Sequence, residues 1–360
     1  MPLNSIAYFV SSHGFGHAAR SAAVMQAVAE HDPSIRFEIF TAVPAWFFKE
    51  SLSARFNYHY VLTDFGLAQK TPFYSDLKDT LGRLDAFYPI SRTLLDDISA
   101  KVRRLNCRLI ICDIAPLGLL VAANLAIASV LVENFTWDWI YRQYADIEPG
   151  INRHIAYLKP IFESADYHIQ TEPVCRRREA DLLSAPVSRK PKMTRSQIRG
   201  RLGLRDDENV ILITTGGLPQ SYDFIRKLDV SGQITFVMPG AGPGEERYDN
   251  LIILPHHSKF YHPDLVNAAD AVIGKVGYST LAEVFHSGIP FGYVARENFN
   301  ESGPLVDFVE REMSGLAVTE PQFHDGSWIS ITGKLLELPR VGRKITNGAE
   351  QAGEFISALI

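Results

Sequence analysis

The stretch "SIAYFVSSHGFGHAARSAAVMQAVAE", residues 5–30, decides the fold. It opens with the apolar run "SIAYFV", passes through the glycine-bearing "HGFGHAAR" and continues into small and apolar residues at helical spacing. Strand, glycine turn and helix in that order begin a parallel α/β unit. Such a turn ordinarily holds an anion, because backbone N–H groups and the positive end of the helix point at it. This one carries two histidines, His13 and His17, around Gly14, Phe15 and Gly16.

"GFGHAA" fits G-x-G-x-x-G/A through Gly14, Gly16 and Ala19. A nicotinamide-binding unit also needs an acid at the end of its second strand, to hold the ribose. Here that strand, "RFEIFTAV", ends without one, and Glu38 lies inside it. The Walker pattern G-x-x-x-x-G-K-[ST] occurs nowhere. His17 falls in the first helical turn, where the positive end disfavours imidazolium. A neutral histidine at the rim of a cleft suits removal of a hydroxyl proton. A turn-packing role is the plainer alternative, and His13 reads as structural or as a substrate contact. Asp113 ends the strand "RLIICD", so it can orient His17 or cap the helix "APLGLLVAAN".

Working outward, the alternation continues through "ASVLVE" and "YHIQT", with a long helix expected within residues 75–104. It restarts with "NVILITTGG", "QITFVMPG", "NLIILP", "DAVIGK", "IPFGYV" and "SGLAVT". Buried apolar strands alternating with helices predict parallel sheets covered on both faces. The expected organisation is a first domain over 1–173, a basic connection over 174–205, a second domain over 206–340 and a terminal helix over 341–360. Two doubly wound units bind ligands at the carboxyl ends of their strands, and the cleft between them is the expected site.

The 360 residues exceed what one core usually serves. A net charge of −5 argues against nucleic acid and anionic membranes as partners. Cys107, Cys112 and Cys175 have neither metal-type spacing nor a disulfide pattern, and no apolar stretch reads as a signal peptide or membrane span. The expectation is a soluble cytoplasmic protein without a metal or resident cofactor.

The second informative stretch is "IGKVGYSTLAEVFHSGIP", residues 273–290. A strand is expected to end at Ile273, with Gly274, Lys275 and Gly277 turning into a helix opened by Tyr278, Ser279 and Thr280. That geometry offers a diphosphate backbone donors, a dipole and the charge of Lys275. Glu283 can accept from ribose hydroxyls or close a capping box with Thr280. Gly216 and Gly217 in "TTGGLP" supply a second N–H-rich turn. Glu297, Asn300 and Glu301 follow another strand, placed for sugar hydroxyls or simply solvated. In "ENFTWDWIY", Trp137, Trp139 and Tyr141 offer stacking faces or serve as core aromatics.

These motifs resemble those of GT-B glycosyltransferases, the broad group of UDP-glycosyltransferases and the lipid II N-acetylglucosaminyltransferase. "GFGH" is similar to that group's Gly-x-Gly-His turn and "GKVGYSTLAEVFHSGIPFGYV" to its donor-binding segment. "SSHGFGHAARSAAVMQAV", "ENFTWDWIY" and "GKVGYSTLAEVFHSGIPFGYVARENFNE" resemble more narrowly the glycosyltransferase-like N-terminal half of plant-type L-arabinokinases. No counterpart of their kinase half is read here.

The resemblance implies two Rossmann-like domains facing across a cleft, with the C-terminal helix returning to the first. It implies a nucleotide-sugar donor, most simply UDP-linked, and an unspecified hydroxyl acceptor. His17 would be the base and Asp113 its orienter. Gly216, Gly217, Gly274, Lys275, Gly277, Tyr278, Ser279, Thr280 and Glu283 would bind the nucleotide. Glu297, Asn300 and Glu301 would meet the donor sugar, and His13, Gly14, Phe15, Gly16, Asn134 and Trp137 the acceptor. Nucleotide-sugar epimerases and non-catalytic nucleotide-sugar-binding modules share these expectations.

Overall fold

Seven strands form the first sheet: β1 (Ser5–Val10), β2 (Arg36–Thr41), β3 (Arg55–Tyr60), β4 (Cys107–Asp113), β5 (Ser129–Glu133), β6 (Tyr167–Thr171) and β7 (Leu182–Ser184). They lie in the order β3-β2-β1-β4-β5-β6-β7, and every pairing is parallel. The computed structural model describes residues 5–71, 73–214, 224–228, 234–255 and 257–360. β1 is buried along its whole length, as a central strand covered on both faces must be. β3 and β7 escape a search for apolar runs, because one is an edge strand of mixed polarity and the other spans three residues.

The second sheet comprises β8 (Asn209–Thr214), β9 (Ile234–Gly242), β10 (Glu246–Arg247), β11 (Leu251–Pro255), β12 (Ala271–Lys275), β13 (Phe291–Val294) and β14 (Gly315–Ala317). Its order is β10-β11-β9-β8-β12-β13-β14, with only β10 antiparallel. Each sheet has its own apolar core, one around Phe9, Ile110 and Leu131, the other around Leu212, Val272 and Leu281.

The chain divides into two units. The first runs to Ser188 and also takes residues 299–301 and 346–360; the second takes 189–298 and 302–345. The division thus falls inside the expected connection, which is not bare linker. It contains β7 and the helix Arg195–Leu202, whose N-terminus is closed by a Thr194–Gln197 capping box. The terminal helix is shorter than its apolar pattern suggests. It spans Gly348–Ser357, is capped by Asn347 and packs on the helix Gly16–His31 within the first unit. Gly353 permits that approach, since a Cβ there would come 2.8 Å from the Ala27 Cβ. Ile345, within the span expected to be helical, precedes the helix and is exposed.

The long helix expected within 75–104 is two, Leu77–Phe87 and Arg92–Arg104. Pro89 lacks the N–H a continuous helix would need, and Ser91 caps the second piece through the Leu94 N–H. No described helix is long and apolar enough to cross a membrane.

Candidate active site

In the first unit, the register sets Val10 beside Asp113, so β1 and β4 end at the same edge of the sheet. After Val10 the chain turns through Gly14, whose φ of +73° suits glycine, and enters the helix Gly16–His31. After Asp113 comes Ile114, with φ of +44°. A β-branched residue in that region is strained by about 1–3 kcal/mol, a cost met typically at functional sites. The two turns bring the His17 ring against the Asp113 carboxylate, Nδ1 to Oδ1 at 2.8 Å.

Asp113 does not cap the following helix, whose N-cap is Ala115. Its oxygens are taken by other donors. Arg20 donates through Nε to Oδ2 at 2.7 Å and through Nη2 to Oδ1 at 2.6 Å, and Ser21 donates from Oγ at 3.2 Å. Burial pushes the Asp113 carboxyl up, but the Arg20 guanidinium and the bonds from Arg20 and His17 outweigh it and hold the group below its usual range. An ionised Asp113 requires His17 to donate from Nδ1, which turns the Nε2 lone pair away from the carboxylate. The side chains of Asp113 and Arg20 are essentially sealed, and that of His17 is 9% exposed.

Arg20 also donates from Nη1 to Asn134 Oδ1 at 2.6 Å, and Asn134 donates from Nδ2 to Glu301 Oε1 at 3.1 Å. His17, Asp113, Asn134 and Glu301 therefore belong to one polar network, although Glu301 reads from sequence as a donor-sugar contact. Asn300 donates its backbone N–H to Gln143, whereas Glu297 is exposed.

Trp137 is fully buried, stacked with Tyr141 and edge-on to His13, and its Nε1 donates to Asp64 at 2.6 Å. Its faces are core surface, as are those of Tyr141, while Trp139 is half-buried. Phe15 is half-buried against Trp46 and Phe47.

Two groups here escape a reading by motif. Arg20 falls three residues after His17 on the same helix face, beside Ser21, and an arginine there is the visible signal. Asp64 comes from a loop with no motif, and burial pushes its carboxyl up despite the Ser11 and Trp137 hydrogen bonds.

In the second unit, β12 runs to Lys275, two residues beyond the expected end. Gly274 continues the strand because it pairs with Thr214 and Tyr293, and a Cβ there would lie 1.8 Å from the Thr214 carbonyl oxygen. Val276 and Gly277 alone make the turn, and the helix Tyr278–Ser287 begins at once and closes at Gly288. No side chain caps its start, so Thr280 and Glu283 form no capping box.

Glu283 is instead buried against Arg189 and His262. Its Oε1 accepts from Arg189 Nε at 3.2 Å and Nη2 at 2.9 Å, and its Oε2 lies 2.7 Å from His262 Nδ1. Burial pushes this carboxyl up, and Arg189 and His262 reverse the sign, leaving it below its usual range. His262 Nε2 lies 3.5 Å from Thr214 Oγ1, and the Arg189 guanidinium lies over the Tyr261 ring at 5.1 Å. Tyr278 and Thr280 are buried, whereas Lys275 and Ser279 are half-buried. Gly216 and Gly217 lie outside the described residues.

No family model matches the chain. It is 27% identical over 357 residues to an L-arabinokinase of Arabidopsis thaliana, a match that covers 97% of this chain and 34% of the relative. The chain thus spans about a third of the length of the curated relative it matches. Among solved structures it is similar to a UDP-glucosyltransferase from Polygonum tinctorium, at 14% identity and a TM-score of 0.64 over 99% of this chain and 98% of the other. It is also similar to the glycotransferase of kitacinnamycin, at 13% identity and a TM-score of 0.64 over 100% of both chains. Acinetobacter baumannii MurG matches at 13% identity and a TM-score of 0.51 over 99% of both. With two seven-stranded sheets, parallel but for β10, and these full-length matches, the chain has the GT-B glycosyltransferase fold.

Proposed function

We propose that the chain transfers a sugar from a nucleotide diphosphate sugar, UDP-linked, to a hydroxyl acceptor. The observation that carries this reading is His17, held through Nδ1 by a buried aspartate at the carboxyl edge of the first sheet, in a fold shared with glycosyltransferases. His17 Nε2 takes the acceptor proton as the acceptor oxygen bonds to the anomeric carbon. The bond from that carbon to the diphosphate oxygen breaks, and its electron pair leaves on the diphosphate. Lys275 and the N-terminus of the helix Tyr278–Ser287 stabilise that charge. A carboxylate offers about four lone-pair sites; Arg189 and His262 use three on Glu283, which leaves one for a ribose hydroxyl. Asn300 and Glu301 meet the donor sugar.

Calorimetry with UDP, GDP, dTDP and their common sugars tests the donor site on wild type and Glu283→Ala. Selective UDP binding, lost in Glu283→Ala, is expected. Absence of all nucleotide binding overturns the reading.

The match to part of an L-arabinokinase favours a second reading, a nucleotide-sugar-binding module without transfer. Such a module binds the donor and is indifferent to His17→Ala, whereas a transferase loses turnover.

A further inference from the structure

A buried carboxylate needs one countercharge, and Asp113 has two candidates, His17 and Arg20. If His17 supplied it, the ring would be held as imidazolium and could accept no further proton. Arg20 meets Asp113 through a two-pronged fork at 2.7 and 2.6 Å, the geometry that suits guanidinium to carboxylate. Its own side chain is 1% exposed, so it has no solvent to turn to. Its Nη2 also lies 3.3 Å from His17 Nδ1, where a second positive charge would be unfavourable.

We infer that Arg20 is a positioning residue that neutralises Asp113 in place of His17, leaving His17 uncharged with its lone pair on Nε2. The inference rests on His17 being the base of the proposed reaction, but its charge state can be read without any substrate.

The other groups facing His17 do not replace Arg20. Asp64, on the loop after β3, is engaged by Trp137 and Thr63. Phe135 and Trp137 present rings, at 5.7 and 6.2 Å between centroids. On the His17 helix itself, Ser21 is neutral and bonds Asp113. Asn134 carries the far side of the guanidinium toward Glu301 and so fixes the fork in one orientation.

The test is nitrogen NMR of the full chain labelled at histidine, with the His17 signal identified by its loss in His17→Gln. At pH about 7.5, wild type is expected to show a neutral ring protonated at Nδ1. Arg20→Met is expected to show imidazolium at the same pH, with the titration of His17 moved up by at least about one pH unit, a tenfold gain in proton affinity. Arg20→Lys keeps the charge and should resemble wild type, and Arg20→Met with Asp113→Asn should return the ring to neutrality. A purely structural Arg20 would give the same His17 charge in wild type and Arg20→Met, which overturns the inference. Should Arg20→Met fail to fold, wild type and Arg20→Lys decide: imidazolium at His17 in either overturns it. Absence of sugar transfer with a neutral His17 would sink the proposed function and leave the role of Arg20 standing.

Discussion

The two units each bury a carboxylate against one histidine and one arginine, and the likeness extends to the atoms. Asp113 and Glu283 both take a histidine Nδ1, at 2.8 and 2.7 Å, and both take Nε and Nη2 of an arginine. Both are held below the usual carboxylate range against the pull of burial. The differences lie around them. Asp113 ends a central strand and is sealed, with Ser21 as a further donor and Asn134 behind its arginine. Glu283 lies within a helix, and its histidine side chain is 26% exposed. The same trio therefore serves as a rigid, enclosed support in one unit and as an open-sided one in the other. An enclosed trio suits orientation of a base, whereas one whose histidine reaches solvent suits contact with a ligand.

The sharpest way to break this comparison is to remove each chemistry separately. His17→Ala should reduce sugar transfer by about 10²–10⁴-fold, the usual worth of a general base, while nucleotide affinity in calorimetry stays at the wild-type value. Glu283→Ala should instead abolish nucleotide binding, and transfer with it; equal effects of the two substitutions on binding would erase the division of labour.

Stability comes next. Asp113→Ala strands a sealed guanidinium and should cost about 3–5 kcal/mol in urea unfolding, as breaking a buried pair does. Glu283→Ala should cost measurably less, because Arg189 keeps the Tyr261 ring and His262 reaches solvent. A larger loss for Glu283→Ala would contradict the enclosed-versus-open distinction.

Acid titration sharpens the likeness instead. Both carboxyls ionise below their ordinary values of 3.8 and 4.5, so each contributes stability that is complete above those values and lost as pH falls through the folded-state one. The melting temperature should therefore drop on acidification below about pH 5, and Asp113→Asn and Glu283→Gln should each flatten that slope. An unchanged slope in either would remove its carboxyl from the linkage.

The smallest effect concerns local structure within the second unit. Thr194→Ala breaks a capping box that is present and should cost about 1 kcal/mol in thermal unfolding. A negligible change there would mean that the tertiary contacts of Arg195 and Arg199 with Asp270 fix that helix by themselves.

The sequence by itself determined whatever depends on neighbours along the chain. Short apolar runs, glycine turns and helical patterns located the central strands, the turn before His17 and the helix that closes at Gly288, because backbone preference and burial act over a few residues. The same locality makes Arg20 visible in hindsight, three positions from His17 on one helix face. Edge strands were less legible, since β3 needs apolar residues on neither face in full.

Tertiary structure alone decided which donors a buried carboxylate meets. Glu283 reads as a capping residue or a ribose ligand until residues 189 and 262, 94 and 21 positions away, are brought against it. Asn134 and Glu301 meet across 167 positions, and Trp137 loses its free faces to the core. Desolvation drives these pairings: a charge removed from water must find its partner in space, and nothing in the local sequence names that partner.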